Sequence, residues 1–457
     1  MADIFDISKL ILAEGPVCDH CMGRQFAKLS TGLSNDARGR AVKLVLAMEG
    51  DRLFKETGDA DLLDALAPSN VNAGKTLAAA GSDAPAEEKC WVCGDIFKNL
   101  DFWADMAVSK LSGIDYSSFL VGTKLSGLLS ENEEILWEAC GTAYAEQLKS
   151  ELNREIGKLI SGKTGKDVAF SNPDIMITFD IAKKEAQIDI RSVYIYGRYL
   201  KLVRGIPQTK WPCRKCGGRG CDSCGGTGKQ YQESVGELAG LPLLSPNYAE
   251  AYDVVFHGAG REDIDALMLG TGRPFVLEAK APKRRTFDLA ALEKEINAAN
   301  VGKIEVHGLT FCGKDLVERL KGEKAKKTYR LKIRFESPVT EENLNHALLQ
   351  LHGTEINQDT PNRVLHRRAD LCRNRTVHTA ILEQMGEKNS TGPGPSEHNV
   401  VESCVAYVRV FCDGGLYVKE LTSSDEGRTS PSIAGLMGVG AKVEELDVID
   451  VELDAAE

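Results

Sequence analysis

A short acidic stretch beside an arginine has the residue types in this sequence best suited to nucleophilic or acid–base chemistry. In FHGAGREDID, residues 256–265, two glycines precede Arg261, and Glu262, Asp263 and Asp265 follow it. A carboxylate there can attack an electron-poor carbon if a nearby cation keeps it ionised. An aspartate at such a turn also often caps backbone amides. The residues alone leave both roles open for Asp263.

Cysteine spacing indicates metal binding at a second place in the chain. The first two Cys-x-x-Cys pairs, CDHC and CWVC, contribute Cys18, Cys21, Cys90 and Cys93. Four thiolates from two such pairs suit a closed tetrahedral zinc site. The alternative is two unrelated pairs of reduced thiols. We expect a structural zinc ion (Zn2+) that joins the N-terminal helices to the segment after residue 89.

A second cysteine set is packed into CRKCGGRGCDSCGGTG, residues 213–228. It consists of two back-to-back copies of Cys-x-x-Cys-x-Gly-x-Gly, with Cys213, Cys216, Cys221 and Cys224 as the thiols. The glycines allow the backbone to turn tightly around a metal. The pattern resembles the cysteine-rich repeats of J-domain chaperones, but the sequence lacks the His-Pro-Asp signature of a J domain. We therefore interpret it as a zinc knuckle.

Size and charge limit the class of protein. The chain has 457 residues, a net charge of −11 and 42% hydrophobic residues, which is typical of a globular protein of two or three domains. No apolar run is long enough to span a membrane, and MADIFDISKLILAEG does not resemble a signal peptide. We expect a cytoplasmic protein without a membrane partner.

Basic residues cluster locally despite the acidic total. The richest cluster, RVLHRRADLCRNR, contains Arg363, Arg367, Arg368, Arg373 and Arg375, and further clusters occupy residues 280–285 and 321–334. Such clusters favour an anionic partner, although solvated helix faces are the simpler explanation of any one of them.

The elements that must position these residues follow from periodicity. Residues 1–95 are mostly helical by pattern, and we predict one amphipathic helix from the capping box at Ser130 to Gly162. DIMITFD and AQIDIRSVYIYGRYLKL alternate as strands do. The organisation expected from these patterns is a zinc-bearing helical region at 1–98, a region of helices and strands at 99–212, a cysteine-glycine connector at 213–231 and a domain of alternating strands and helices at 232–457.

The immediate setting of Asp263 reads as a hairpin. We expect a strand at residues 264–269 that contains Asp265, a glycine turn at 270–273 and a returning strand at 275–279. LYVKEL, around Lys419, also reads as a half-buried strand.

The same stretch resembles a known family. GREDIDALMLGTGRPFVLE resembles the Gly-Arg-x-Asp loop region of the archaeal and eukaryotic pseudouridine synthases that modify the TΨC arm of tRNA. The resemblance extends to GRYLKLVRGIPQTKWPC, TPNRVLHRRADLCRNR and GGLYVKELTSSDEGRTSPSI, and it covers nearly the whole chain. It implies that Asp263 is the catalytic aspartate. Ala266 and Leu267 depart from the pattern, where a valine-arginine-like pair is expected.

The resemblance also implies roles for residues distant from the acidic stretch. Lys419 is the expected ion-pair partner of the catalytic aspartate. Tyr329 and Tyr417 are expected to bind the substrate, and Val418 and Leu446 to form an apolar pocket wall. Without the resemblance, both tyrosines would be interpreted as half-buried strand residues and the two aliphatic residues as core.

The family therefore implies an α+β pseudouridine synthase catalytic domain at 232–457. A zinc-bearing accessory domain precedes it, with an RNA-binding region at 99–212 that is similar to the THUMP domain. The expected activity is that of an isomerase acting on uridines 54 and 55 of tRNA. It requires no organic cofactor, and no protein partner is implied. The alternatives are a zinc-dependent RNA-binding protein without catalysis and another THUMP-containing tRNA-modifying enzyme.

Overall fold

The computed structural model describes residues 3–82, 85–322, 324–386 and 402–453, with the side chain of Arg367 outside this description. Contacts between Cα atoms divide the chain into two units, at residues 1–191 and 192–457. No helix within the described ranges is long and apolar enough to cross a membrane.

The first unit combines helices with a small sheet. Its described helices are α1 (Ile4–Ala13), α2 (Asp19–Arg24), α3 (Asn35–Thr57), α4 (Asp61–Leu66), α5 (Val71–Ala79), α6 (Leu100–Lys110), α7 (Gly127–Cys140) and α8 (Leu148–Thr164). Its described strands are β1 (Ser118–Lys124), β2 (Asp167–Val168), β3 (Ile175–Asp180) and β4 (Glu185–Ile190). The sheet order is β2-β1-β3-β4, in which β1 runs parallel to both neighbours.

Helix α8 shows why this unit packs as it does. Leu148, Leu152, Ile156 and Ile160 recur every fourth residue and are fully buried, because positions four apart lie on one face of a helix. The last two pack with the buried residues of β1 and β3 in one core cluster. The sheet is therefore covered by a helix on its apolar face.

The second unit is built on one large sheet. Its described strands are β5 (Val193–Lys201), β6 (Asp253–Gly258), β7 (Leu267–Lys280), β8 (Ile304–Cys312), β9 (Lys326–Thr340), β10 (Thr354–Gln358), β11 (Arg373–Met385), β12 (Glu402–Cys412), β13 (Thr429–Ser430) and β14 (Ala441–Glu452). Its described helices are α9 (Val235–Gly240), α10 (Leu289–Ala299), α11 (Asp315–Gly322), α12 (Glu341–Leu351), α13 (Val418–Ser423) and α14 (Ile433–Met437). The strand order is β13-β10-β11-β12-β9-β14-β7-β5-β8, and β6 pairs with β7.

The long strand β9 lies at the centre of this sheet. Leu331, Ile333 and Phe335 alternate along it and are buried, which is the pattern of a strand with one face on a core. Leu331 lies opposite Leu446 of β14, and Tyr329 lies opposite Val448. The middle of the sheet thus places Tyr329 and Leu446 on neighbouring strands.

The single helix predicted from Ser130 to Gly162 is wrong. The chain forms two helices there, because Gly141 adopts a φ of +79°, which a continuing helix cannot accommodate. The first helix is capped by Ser126, whose side chain accepts from the amide of Leu129, and the second ends at Gly165 with a left-handed φ.

The hairpin predicted around residues 264–279 is also wrong. Strand β7 continues through both glycines, and Asp265 lies in a turn before the strand rather than inside it. Gly270 and Gly272 have left-handed φ values and lie against neighbouring backbone. A Cβ on Gly270 would lie 2.0 Å from the carbonyl oxygen of Ile449, so this glycine permits close approach of β14.

The strand predicted for LYVKEL is wrong as well. Lys419 lies in the short helix α13, and Tyr417 is the residue that precedes its first turn.

Candidate active site

The loop between β6 and β7 presents Asp263 to a cleft, and its neighbour Glu262 anchors it. The Glu262 carboxylate is buried, with Oε2 3.0 Å from Nε of Arg273, itself buried. The hydroxyl of Tyr199 donates to the same carboxylate, at 2.7 and 2.8 Å from its two oxygens. A carboxylate enclosed in this way is held in the fold and is not accessible as a reagent.

Two side chains hold the backbone of the loop by hydrogen bonds to its carbonyl oxygens. Nε2 of Gln208 donates to the carbonyl oxygen of Gly260 at 3.0 Å. Nζ of the fully buried Lys201 donates to the carbonyl oxygens of Asp263 at 3.3 Å and Ile264 at 3.1 Å. These bonds fix the main chain on either side of Asp263, whose own side chain remains 39% exposed.

Lys419 is the cation beside the exposed carboxylate. Its Nζ lies 3.2 Å from Oδ2 of Asp263 and 2.9 Å from Oδ2 of Asp265. Burial by itself would lower the pKa of Lys419, but the hydrogen bond to Asp265 and the charges of both aspartates raise it above the usual value for lysine. Lys419 therefore stays charged at neutral pH and is shared between two carboxylates.

Asp265 was expected to be an internal strand residue, and the structure instead makes it the second partner of Lys419. Burial alone would raise the pKa of Asp265, but the hydrogen bond and charge of Lys419 lower it. Its side chain is 65% exposed, so water competes with the lysine more strongly there than at Asp263.

Arg363 lies beside the loop between β6 and β7. Its Nη1 is 3.8 Å from Oδ2 of Asp263, and its Nε donates to the buried Glu420 at 2.6 Å. The sequence grouped Arg363 with RNA-binding arginines, and no local pattern indicates its proximity to Asp263, because helix α13 brings Glu420 to it from a distant segment.

An arginine–tyrosine group forms another part of the cleft. Nη1 of Arg368 donates to the hydroxyl of Tyr417 at 2.6 Å. The guanidinium groups of Arg363 and Arg368 lie 5.7 and 5.9 Å from the centroid of the same ring. Such cation–π contacts hold the ring and both cations in one place.

The cleft has a volume of about 650 Å³. The residues proposed from the sequence that line it are Asp263, Lys419, Tyr329, Tyr417, Val418, Leu446, Arg363, Arg368 and Arg375. Val418 and Leu446 are buried, at 5% and 6% exposure, and form an apolar wall. Burial raises the pKa of the Tyr329 hydroxyl above its usual value, so this hydroxyl stays protonated.

One proposed arginine lies elsewhere, and one is not described. Arg373 donates from Nη1 to Thr360 and to the carbonyl oxygen of Leu371, so it supports the loop preceding β11. The side chain of Arg367 lies outside the described residues.

Lys327 also lines the cleft, whereas the sequence places it only in the basic cluster at 321–334. Burial and the nearby charge of Arg273 lower the pKa of Lys327 to about 8. Its position two residues before Tyr329 on β9 is the signal that could have found it, because alternate residues of a strand share a face.

The first cysteine cluster fits a metal. The Sγ atoms of Cys18, Cys21, Cys90 and Cys93 lie within 4.8 Å of one another. Those of Cys18 and Cys93 are 3.6 Å apart, and four sulfurs on a tetrahedral zinc are about 3.8 Å apart. Nη1 of the buried Arg24 donates to Sγ of Cys21 at 2.7 Å, as suits a thiolate.

The second cluster fits a metal by the same test. The Sγ atoms of Cys213, Cys216, Cys221 and Cys224 also lie within 4.8 Å of one another. Backbone amides donate to these sulfurs, for example Gly228 to Cys224 at 3.2 Å. Both clusters can therefore hold a metal ion, as the spacing predicted.

Comparison with known families decides what kind of protein carries this cleft. A model described as Pus10, C-terminal, matches residues 194–452, and one described as Pus10 THUMP domain, archaeal, matches residues 103–180. The chain belongs to the Pus10 family. This confirms the family predicted from the Gly-Arg-x-Asp region and the α+β architecture with a THUMP domain before the catalytic domain.

Full-length Pus10 relatives are similar along the whole chain. The tRNA pseudouridine synthase Pus10 of Methanothrix thermoacetophila is 49% identical over 452 residues, which cover 98% of this chain and 95% of that protein. The Halorubrum lacusprofundi protein of the same name is 40% identical over 98% of this chain and 96% of its own length. For the Pyrococcus furiosus protein the identity is 33%, over 98% of both chains.

Likeness to solved structures adds nothing to the Pus10 assignment. The chain matches a Cbf5–Nop10–Gar1 complex at 16% identity and a TM-score of 0.26, over 47% of this chain and 44% of that one. A score this low says nothing further about the fold or the site.

Proposed function

We propose that this chain isomerises uridine to pseudouridine at positions 54 and 55 of the TΨC loop of tRNA, with Asp263 as the nucleophile. The observation that carries the proposal is the pairing of Asp263 with Lys419, at 3.2 Å, inside the cleft of a Pus10 family member. The relatives' name, tRNA pseudouridine synthase, supplies the reaction and the substrate class.

The reaction suits a carboxylate that stays ionised. The C1′–N1 bond of uridine breaks, the uracil turns, C5 bonds to C1′, C5 loses a proton and N1 gains one. An ionised Asp263 attacks or stabilises the electron-poor C1′, as carboxylates do in retaining glycosidases. Lys419 places a positive charge 3.2 Å from that carboxylate. Atoms balance without an oxidant, a reductant or an organic cofactor.

The cleft walls suit a uracil that has left its stack. Tyr329 offers an aromatic face for the base, and its hydroxyl can handle the C5 proton. Tyr417 binds a second part of the substrate, while Val418 and Leu446 exclude water from the reacting atoms.

The rest of the chain would bind RNA and metal. The THUMP domain grips the body of the tRNA, and Arg363, Arg367, Arg368, Arg373 and Arg375 contact its phosphates. Each cysteine cluster holds one structural zinc ion, whose role is to stabilise the fold around it. We place the protein in the cytoplasm, and the proposal requires no protein partner.

Mapping pseudouridine after incubation of the pure protein with an unmodified tRNA transcript tests this function. We expect pseudouridine at positions 54 and 55, and we expect transcripts carrying cytidine at one position to be modified only at the other. An Asp263→Asn variant supplies the matched control. Tight tRNA binding without any pseudouridine would leave the chain an RNA-binding protein and end the proposal.

A further inference from the structure

The segment leading into the second cysteine cluster, residues 201–212, contacts the loop between β6 and β7 at several places. We call this loop, which carries Asp263, the catalytic loop. Lys201 and Gln208 donate hydrogen bonds to carbonyl oxygens of the loop backbone. Farther along the segment, the ring of Trp211 lies under the guanidinium of Arg261, with 4.7 Å between Cζ and the ring centroid. Trp211 also lines the cleft. One stretch of chain therefore supports the loop on both sides of Glu262.

Trp211 fixes the position of the Arg261 side chain. Among the described residues, the Arg261 guanidinium has neither a hydrogen bond nor an ion pair, and its stack on the indole is the interaction that holds it. Arg261 is two residues before Asp263 in the loop. A shift of the indole would therefore free the Arg261 side chain. The loop would then be held by Gln208, Lys201 and the Glu262 carboxylate, without a contact at Arg261.

The cysteine-glycine connector, residues 213–231, in turn holds Trp211. Pro212 and Lys229 form an isolated β-bridge at the base of the segment. The amide of Gln230 donates to the carbonyl oxygen of Trp211 at 2.9 Å. Tyr231 contacts the indole edge to face, with 5.5 Å between ring centroids. The folded shape of the connector thus determines where the indole lies.

The connector has almost no apolar core of its own, so a metal is what can hold it folded. Within the part of the chain that the structure describes, its buried side-chain cluster consists of cysteines alone: Cys213, Cys216 and Cys224, with Cys221 partly buried. Glycines supply much of the rest of the sequence. Because a cluster of this size buries too little apolar surface to fold by itself, the free energy of metal binding must maintain its shape.

We propose that the second cysteine cluster, with its metal bound, positions the catalytic loop by holding Trp211 against Arg261. Trp211 is then a positioning residue for Asp263. This inference rests on the proposed function and deepens it, because it assigns the cluster to the chemical step and not only to stability. A misplaced nucleophile slows a reaction steeply, since about 1 Å can cost about a hundredfold.

The first test breaks the cluster. We expect Cys221→Ser with Cys224→Ser to remove one metal equivalent and to lower the single-turnover rate at saturating tRNA by about tenfold to hundredfold. The tRNA dissociation constant should change by less than about threefold. Cys312→Ser with Cys404→Ser, two half-buried single cysteines of the same unit, is the matched control and should match wild type. Lost affinity with an unchanged rate at saturation would make the segment an RNA-binding module and overturn the proposal.

The second test asks whether the metal acts through Trp211. Trp211→Phe keeps an aromatic face for Arg261 and should keep most of the rate, whereas Trp211→Leu should lower it by about as much as loss of the cluster. Combining Trp211→Leu with the two cysteine changes should lower the rate by less than about threefold beyond either change alone, because both changes break the same link. Rate losses that multiply would show independent effects and overturn the link.

The third test needs no catalysis. Trp211 is the one tryptophan of four that belongs to residues 192–457, so the difference in emission between wild type and Trp211→Phe reports on it. Chelation should change this difference spectrum, and the change should be absent when Cys221 and Cys224 are serines. Metal loss without a change in emission would refute the proposal. If the wild type forms no pseudouridine, the proposed function fails, yet this measurement still gives its own answer.

Discussion

Nζ of Lys419 lies 3.2 Å from Oδ2 of Asp263, and the lysine sits at the first turn of a helix that packs against β14. The cation is therefore held by a different part of the fold from the loop that carries the carboxylate. Such an arrangement lets each group be altered separately, which makes their roles testable.

Asp263→Asn should abolish the reaction without weakening binding. The amide is nearly isosteric but is a poor nucleophile, so we expect the single-turnover rate to fall on the order of a thousandfold or more. The tRNA affinity should stay within about threefold of wild type. Asp265→Asn is the matched control, because it shares Lys419 but is more exposed, and we expect it to cost less than about tenfold. Near wild-type turnover in the Asp263 variant would remove Asp263 from the mechanism.

Changes at Lys419 and at the arginine pair 367–368 should separate chemistry from binding. Lys419→Met should lose turnover and nearly keep affinity, since its charge faces Asp263 and Asp265. Arg367→Ala with Arg368→Ala should weaken binding to any tRNA and flatten its salt dependence, because the log–log slope falls by about 0.9 for each phosphate that the protein no longer neutralises. Titrations at several salt concentrations, paired with single-turnover rates, measure both. If the Lys419 variant loses salt slope but keeps its rate, Lys419 is a phosphate anchor and not the partner of the nucleophile.

Glu262→Gln should destabilise the protein rather than change the chemical step alone. It leaves the buried Arg273 without its countercharge, which typically costs about 3–5 kcal/mol. Urea unfolding should show a lower midpoint. Glu233→Gln, which breaks an exposed pair with Lys303, should cost less than about 1 kcal/mol. Equal effects of the two changes would mean that the Glu262 network is not an anchor.

Lys327 should make stability depend on pH. Its pKa is lowered to about 8 in the folded protein, while a lysine in the unfolded chain titrates near about 10.4. Between these values the unfolded state binds more protons, so raising the pH from about 8 to about 10 stabilises the fold. Lys327→Met should be more stable than wild type at pH 7, by about 1–3 kcal/mol, because it removes the cost of burying the charge. That advantage should shrink as the pH approaches about 10, and an advantage constant across this range would contradict the lowered pKa.

Metal content should follow the two clusters. Cys90→Ser with Cys93→Ser should remove one equivalent of zinc and lower the thermal stability of residues 1–191, because a metal bound only to the folded state adds its binding free energy to stability. Metal analysis and melting curves measure this. An unchanged zinc content would place the metal of wild type wholly in the second cluster.

The sequence by itself determined the features that depend on neighbouring residues. The Cys-x-x-Cys pairs identify both clusters because two thiolates three residues apart can reach one ion. The helical character of residues 1–95 and the strands β3, β4 and β5 follow from periodicity, and the Gly-Arg-x-Asp region identifies the family. Where local signals fit two conformations, the prediction is wrong at two glycines. Gly141 interrupts a pattern that otherwise reads as one helix, and Gly270 permits either a hairpin turn or the close approach of β14.

Only the tertiary structure decided which charges meet. Glu262, Asp263 and Asp265 are nearly equivalent in sequence, yet one is buried against Arg273 and the other two share Lys419. Arg363 reaches the same carboxylate through its pairing with Glu420. These outcomes depend on the order of strands in the sheet and on how α13 packs. Burial and electrostatic partners are set by residues distant in the chain, and no local pattern encodes them.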